Sequence, residues 1–354
     1  MSHGTRSSAS RLVDAVLEAS VAGSFSRVGF AVRSRTEHWD PPAGLAGRVV
    51  VVTGASSGIG RAVALEVARL GATTWVLGRD RGRTEAVARD ARALRGGGGI
   101  EPVVLDVNDA NAVRAFSGLV SSVHDHVDVV VHAAGALFPT FRSARDGSEL
   151  TVATAVLAPF RLTLLLSPLL RRSEAANIVT LSSGGMYTER FDLDHLEMPP
   201  GSYRGTTAYA RAKRAQVVLS HEWARRWGAD GVASYASHPG WVDTPGLASG
   251  LPSFARLGPF LRTPAEGADT VVWLAAGAAR RADPAAPMTE GFFHDRHRRA
   301  EHYPPWSART SSAEEGRLLW DWCASRTGTS EAPGVPPRAP ASPPQAPASP
   351  DAMP

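Results

Sequence analysis

Lysine is nearly missing from this chain. Of 38 lysines and arginines only Lys213 is a lysine, which leaves 37 arginines. A chain that otherwise meets its need for positive charge with arginine has kept a compact ammonium at one position. That position needs something a broad, planar guanidinium does not supply. Cysteine is as scarce, with Cys323 alone. One thiol excludes an internal disulfide and any multi-cysteine metal site, and suggests a reducing, cytoplasmic setting. Long apolar runs are lacking too. The most apolar window, Leu162 to Leu170, is nine residues between arginines and contains Pro168. A spanning helix needs about 20, so no transmembrane segment is expected. The first residues lack an apolar core followed by a small-residue cleavage site, so no signal peptide is expected. Nor is charge of one sign concentrated. The net charge is +4, and the densest basic run, "HDRHRRAEH" from His294 to His302, carries acids. Specific nucleic-acid binding is not expected from that pattern. The spacing of His294, His297 and His302 matches no metal-ligand framework, so no metal is expected either.

What is present is an ordinary globular composition, 43% hydrophobic and 20% charged over 354 residues. Residues 1–47 read as a leader, in which Leu12, Val13, Val16 and Leu17 recur at helical spacing. Such a helix would dock its apolar face on the body; the alternative is contact with a membrane surface. "WDPPAG", Trp39 to Gly44, reads as a linker. From Arg48 short apolar runs alternate with helical patterns. The runs are "RVVVVT", "TTWVLG", "EPVVLDV", "VDVVVHA", "NIVTLSS" and "VASYAS". Between them lie helical patterns at 59–70, 84–94, 110–123, 149–170 and 209–227. That alternation predicts an α/β, doubly wound parallel sheet, the Rossmann fold, as one domain over 48–326. Ser312 and Glu315 stand at capping-box spacing ahead of a last helix. Nine of the 28 residues from Thr327 to Pro354 are proline, which predicts a disordered tail.

Three stretches carry chemistry. "TGASSGIG" runs from Thr53 to Gly60, after the first strand and before a helix. Glycines at 54, 58 and 60 let backbone amides approach a pyrophosphate, and the helix N-terminus adds its dipole. At the end of the second strand, where an NAD site wants a carboxylate, stand Gly78 and Arg79, with Asp80 following late. A guanidinium suits a 2′-phosphate, so NADP(H) is favoured, with NAD(H) possible. "YARAK" places Tyr209 and Lys213 four residues apart, on one helix face. An ammonium there would lower the phenol's pKa and reach ribose hydroxyls. Upstream, Ser182 and Ser183 end a buried strand where such sheets hold ligands. After the sixth strand, "HPGWVDT" brings the Pro239–Gly240 bend to the same edge.

Together these stretches resemble the short-chain dehydrogenase/reductase (SDR) family over residues 48–293. "SSGGMY", "HPGWVDTPG", "LRTPAEGADTVVWLAA", "GFFHDR" and the leader's "FSRVGFAVRSR" further resemble the SDR family member 12 group. The resemblance implies Tyr209 as catalytic acid/base, Lys213 as the group that lowers its pKa and binds the nicotinamide ribose, and Ser183 as the residue that orients the carbonyl. Ser183 is preferred to Ser182 because the family's serine is usually the second of such a pair. The resemblance places cofactor contacts at Gly54, Ser56, Ser57, Gly58, Ile59, Gly60, Arg79, Asp106, Val107, Ala134, Gly135, Pro239, Gly240, Val242 and Thr244, besides Tyr209 and Lys213. Asp106 would meet the adenine and Thr244 the carboxamide. It also implies a homo-oligomer built on the helices at 149–170 and 209–227.

The chain departs from the family twice. His132-Ala133-Ala134-Gly135 stands where many members have Asn-Asn-Ala-Gly, and Ala155 stands where a fourth catalytic residue, an Asn, holds a relay water beside the lysine. His132 is either a substitute in that relay or a structural strand-end residue. Residues 186–207 and 247–261 mix Met, Phe, Leu, Tyr and Pro. They either line an apolar substrate pocket or pack on the body. Two functions are consistent with all this: an NADP(H)-preferring oxidoreductase acting on an apolar carbonyl or alcohol, or a nucleotide-binding regulator with vestigial chemistry.

Overall fold

A computed structural model describes residues 8–94, 97–282, 288–302 and 311–331. The predicted tail lies outside these residues from 332 on. The six expected strands form: β1 (Val49–Thr53), β2 (Thr73–Gly78), β3 (Ile100–Val104), β4 (Val129–His132), β5 (Asn177–Leu181) and β6 (Ala233–Ser237). Two more join them, β7 (Glu290–His294) and β8 (His297–Arg298). The sheet order is β3-β2-β1-β4-β5-β6-β7-β8. All neighbours are parallel except β7 and β8, which form an antiparallel hairpin. Its turn puts Asp295 and Arg296 at φ 51° and 59°. Glycine or asparagine usually marks such a turn, and neither is there.

The valines of β1 explain why the strand is apolar throughout. Val49 and Val51 point into one core layer, Val50 and Val52 into the other. A strand covered on both faces has no polar side, and each fully buried valine contributes about 1.5–3 kcal/mol. One layer is closed by α4 (Gly58–Arg69), α5 (Arg81–Arg92) and the helix Pro264–Ala275. The other is closed by α6 (Ala110–Val123), the helix around 150–170, and the helix Gly205–Trp227.

Helix 150–170 is broken near its start. It consists of α7 (Leu150–Val152), a π-turn at Ala153–Leu157, and α8 (Ala158–Leu170). By length and composition Leu150–Leu170 could cross a membrane, but 89% of its apolar window is buried inside the fold. It is a core helix here. Beside it runs α9 (Gly205–Trp227), whose first turn starts earlier than the apolar pattern suggests. The last helix, Ala313–Thr327, opens on the predicted Ser312–Glu315 capping box. It lies on α9, with the Trp320 ring 5.9 Å from Trp227 and 5.0 Å from Phe160. The last helix thus covers part of the surface of these two helices.

The leader forms α1 (Ser8–Glu18), α2 (Val21–Phe25) and α3 (Arg27–Thr36). The helix is where the spacing puts it, but its apolar stripe is not what docks. Leu12 and Val16 are 67% and 64% exposed. The contact is made by the polar side instead. Arg33, fully buried, donates to Asp14 at 2.7 Å and to Asp295 at 2.7 Å, and Arg299 donates to Asp14 at 2.8 Å. Periodicity of apolar residues carries no trace of such charge pairs. The stretch read as a linker also packs: Trp39 lies edge-on to Phe30, with Arg296 4.8 Å above its ring.

Candidate active site

A cavity of about 640 Å³ lies along the C-terminal ends of β3, β2, β1, β4, β5 and β6. Open α/β sheets bind ligands at that edge. Gly54, Ser56, Ser57, Gly58, Ile59 and Gly60 line it after β1. Gly54 has φ +64°, and a Cβ there would come within 2.7 Å of the Ala134 backbone. Gly58, at φ +53°, is left-handed too. Ser57 starts α4 without a side-chain cap, which leaves the first amides of the helix to another partner. This bare, glycine-built cradle at a helix N-terminus fits the pyrophosphate of a dinucleotide.

Arg79 lines the same wall and is solvent-exposed. The Asp80 carboxylate instead caps α5, accepting from the Arg83 amide at 2.9 Å, and that bond holds its pKa below the usual carboxylate range. Asp106 and Val107 line the cavity after β3, the Asp106 carboxylate accepting from the Asn108 amide at 3.0 Å. Ala134 and Gly135 do so after β4, and Pro239, Gly240, Val242 and Thr244 after β6. Thr244 caps the helix Pro245–Gly250, accepting from Leu247 at 3.2 Å.

Ser183, Tyr209 and Lys213 all line this cavity. The two serines divide their work. Ser182 is buried and donates to the Lys213 carbonyl at 2.9 Å, tying β5 to α9. Ser183 lines the cavity near the Tyr209 phenol, its hydroxyl accepting from the Gly185 amide at 3.2 Å. Burial pushes that phenol's pKa up, and Ser183 only partly offsets it. Lys213 lies over the Tyr209 ring. Its amine, 5.4 Å from the Tyr209 ring centroid, donates to the Leu181 carbonyl at 2.7 Å and to Gln216 Oε1 at 3.0 Å. Burial pushes the amine itself down to about 7, because no carboxylate offsets the loss of water.

His132 is structural. Its Nε2 meets Thr163 Oγ1 at 2.7 Å, its ring stacks on Trp223, and burial holds it neutral with a pKa of about 3. Ala155 is buried on the π-turn, and its carbonyl accepts from Gln216 Nε2 at 2.8 Å. His294 stacks on His238 with ring centroids 4.0 Å apart, and His297 bonds Glu37 at 2.8 Å.

The two candidate pocket stretches separate. Leu247, Leu251 and Phe254 line the cavity beside Leu137, Phe138 and Trp241. The 186–207 stretch mostly packs on the body: Met186 is buried against Val217, Ala236 and Phe292, and Leu196 lies in the main core. Only Thr188 and Thr206 of that stretch reach the cavity.

Among the cavity residues not foreseen are Val21 and Phe25 of the leader. The Phe25 ring sits 4.1 Å from His238, and a Cβ on Gly184 would strike it at 2.7 Å. The Phe25 carbonyl accepts from the Trp241 amide at 2.8 Å, beside Gly240 at φ +77°. Arg262, buried, fixes this wall by donating to the Ser24 carbonyl at 2.9 Å and to Asp295 at 2.6 Å. Burial would raise the Asp295 pKa, but His294, Arg262 and Arg33 hold it far below the carboxylate range. The sequence's only signal for this wall was the motif "FSRVGFAVRSR" as a block.

Sequence and fold both resemble those of known proteins. A family model for short chain dehydrogenase matches residues 48–195. The chain belongs to the short-chain dehydrogenase/reductase family, a class of NAD(P)-dependent oxidoreductases. Within it, the chain is 36% identical to Dehydrogenase/reductase SDR family member 12 of Bos taurus over 274 residues, 77% of this chain and 84% of the relative. It is 31% identical to Retinol dehydrogenase 11 of Homo sapiens over 284 residues, 78% and 85% of the two chains. A short chain dehydrogenase structure from Escherichia coli CFT073, complexed with NADPH, is 25% identical. It superposes with a TM-score of 0.57, covering 72% of this chain and 98% of that one.

Proposed function

We propose that the protein is an NADP(H)-preferring dehydrogenase/reductase that interconverts an apolar carbonyl and its alcohol. The observation that carries this reading is the convergence of Ser183, Tyr209 and Lys213 on the cavity that also holds the glycine cradle. Bound in the cradle, the nicotinamide would supply or accept the hydride. Ser183 donates a hydrogen bond to the substrate oxygen. Tyr209 delivers the proton to that oxygen in reduction and removes it in oxidation. Lys213 stands behind the phenol and offers N–H groups to the ribose. The amides from Gly54 to Gly60 take the pyrophosphate. Arg79 would meet a 2′-phosphate while Asp80 is engaged in capping, which supports NADP(H); so does the NADPH held by the E. coli relative. Phe25, Leu137, Phe138, Trp241, Leu251 and Phe254 favour an apolar substrate. The retinol named for one relative is an alcohol of that kind. The single buried Cys323 supports a cytoplasmic setting.

The test is turnover followed at the nicotinamide absorbance, with NADPH and NADH each offered to a panel of apolar aldehydes, ketones and alcohols. Tyr209→Phe should lower kcat by about 10²–10⁴-fold with the melting temperature unchanged. Full activity in that variant would overturn the role of Tyr209. Ala155, in place of the expected Asn, favours a second reading as a nucleotide-binding partner without chemistry. NADPH binding by calorimetry, with no hydride transfer across the panel, would select it.

A further inference from the structure

The family pattern puts a carboxamide at position 155, beside the lysine, and this chain has alanine there. The backbone around that alanine is unusual in two respects. Ala153–Leu157 is a π-turn, a form that concentrates at functional sites. Four residues beyond Ala155 stands Pro159, which has no N–H to return to the Ala155 carbonyl. A side chain from another helix takes that carbonyl instead. Gln216 Nε2 donates to it at 2.8 Å, while Gln216 Oε1 accepts from Lys213 Nζ at 3.0 Å. Gln216 is 1% exposed and follows Lys213 by three residues on α9, so the two side chains are neighbours on one face.

We propose that Gln216 is the positioning residue for Lys213, its carboxamide bridging the lysine amine and the Ala155 carbonyl where the family pattern has an asparagine and its water. The proposal rests on the SDR reading above. Both ends of the amide are fixed. Only the NH₂ group can donate to the carbonyl, so the oxygen must face the amine. The amide brings an acceptor without a charge, in keeping with a lysine that burial holds near 7 and that has a carbonyl as its other acceptor. Tyr209, 5.4 Å away at its ring centroid, is the titratable group stacked against the amine. A carboxamide does not pass protons as water does, so Lys213 exchanges protons through the cavity.

The lone lysine makes the test direct. Full-length protein carrying [ε-¹³C]lysine gives one side-chain resonance, whose titration reads Lys213 without assignment. Gln216→Glu, nearly isosteric, should raise the midpoint by a unit or more, about tenfold in proton affinity. Gln216→Leu should lower it. Adding Ala155→Asn to Gln216→Ala should bring it back toward wild type, and the alkaline limb of the kcat–pH profile should move in step. A midpoint that stays put in the Glu variant overturns the proposal, and that variant alone decides if the Leu variant does not fold. A wild-type chain that turns over no carbonyl or alcohol removes the proposed oxidoreductase activity while leaving the resonance to report the bridge.

Discussion

Two of the places where the molecule buries charge treat it oppositely. Where the leader meets the β7–β8 hairpin, Arg33 and Arg262 are sealed from solvent, and each finds a carboxylate: Asp14 and Asp295 for the first, Asp295 for the second. In the cavity Lys213 is as deeply buried and finds only neutral acceptors, Leu181 and Gln216. Guanidiniums hold their charge and fork onto several acceptors, which suits a clamp. An amine can give its proton up, which suits a site that handles protons. This difference gives a physical reading of one lysine among 37 arginines.

Breaking the clamp should have the largest effect. Asp295→Asn keeps the shape and tolerates the left-handed backbone, but leaves two buried guanidiniums short of a counter-charge. It should cost about 3–5 kcal/mol in urea unfolding. A loss below about 1 kcal/mol would mean that the backbone carbonyls around Arg262 suffice.

An intermediate case sharpens the contrast. His221 is buried on α9 between Glu301 at 2.6 Å and Glu290 at 3.0 Å. Burial alone would lower its pKa, yet the two carboxylates raise it to about 9. A group raised in the folded state stabilises fully below its unfolded pKa, near 6.5, and that contribution is lost as pH rises through about 9. His221→Gln should therefore destabilise by about 2 kcal/mol at pH 6 and by little at pH 10, read from unfolding midpoints across pH.

Lys213 gives the opposite slope. Its pKa is about 7 folded against 10.5 for the free side chain, so the unfolded chain binds the proton more tightly between those values. Stability from this site rises with pH across that window. Lys213→Met should abolish turnover yet raise stability by about 1 kcal/mol at pH 7, and the gain should vanish near pH 10.5. A variant less stable than wild type at pH 7 would show that the two hydrogen bonds outweigh the burial of the amine.

What the sequence disclosed follows the same division. β1, β2, β4 and β5 were visible because double-sided burial leaves near-continuous apolar runs, and Ala110–Val123 and the Ser312 cap fell where spacing put them. The residues named for the cavity all reach it, because a glycine turn and strand ends are local features. The hairpin was hidden by a turn lacking glycine, and the leader's docking by charge pairs over 200 residues apart. Phe25 and Gln216 were missed for a related reason. Each gains its role from a partner in another element, Gly184 in one case and Ala155 in the other.

The Arg33–Asp295 contact also bears on how the protein is made. It spans 262 residues, nearly the whole fold. On a ribosome the first helices emerge long before the hairpin that receives them. Until the hairpin arrives, Arg33 and Arg262 lack Asp295, which fixes the wall at Phe25. The nucleotide cradle at Gly54–Gly60 needs only β1, α4 and β4, and can form much earlier. The glycine turn and the elements around it are thus complete in the chain before the hairpin that fixes the wall at Phe25.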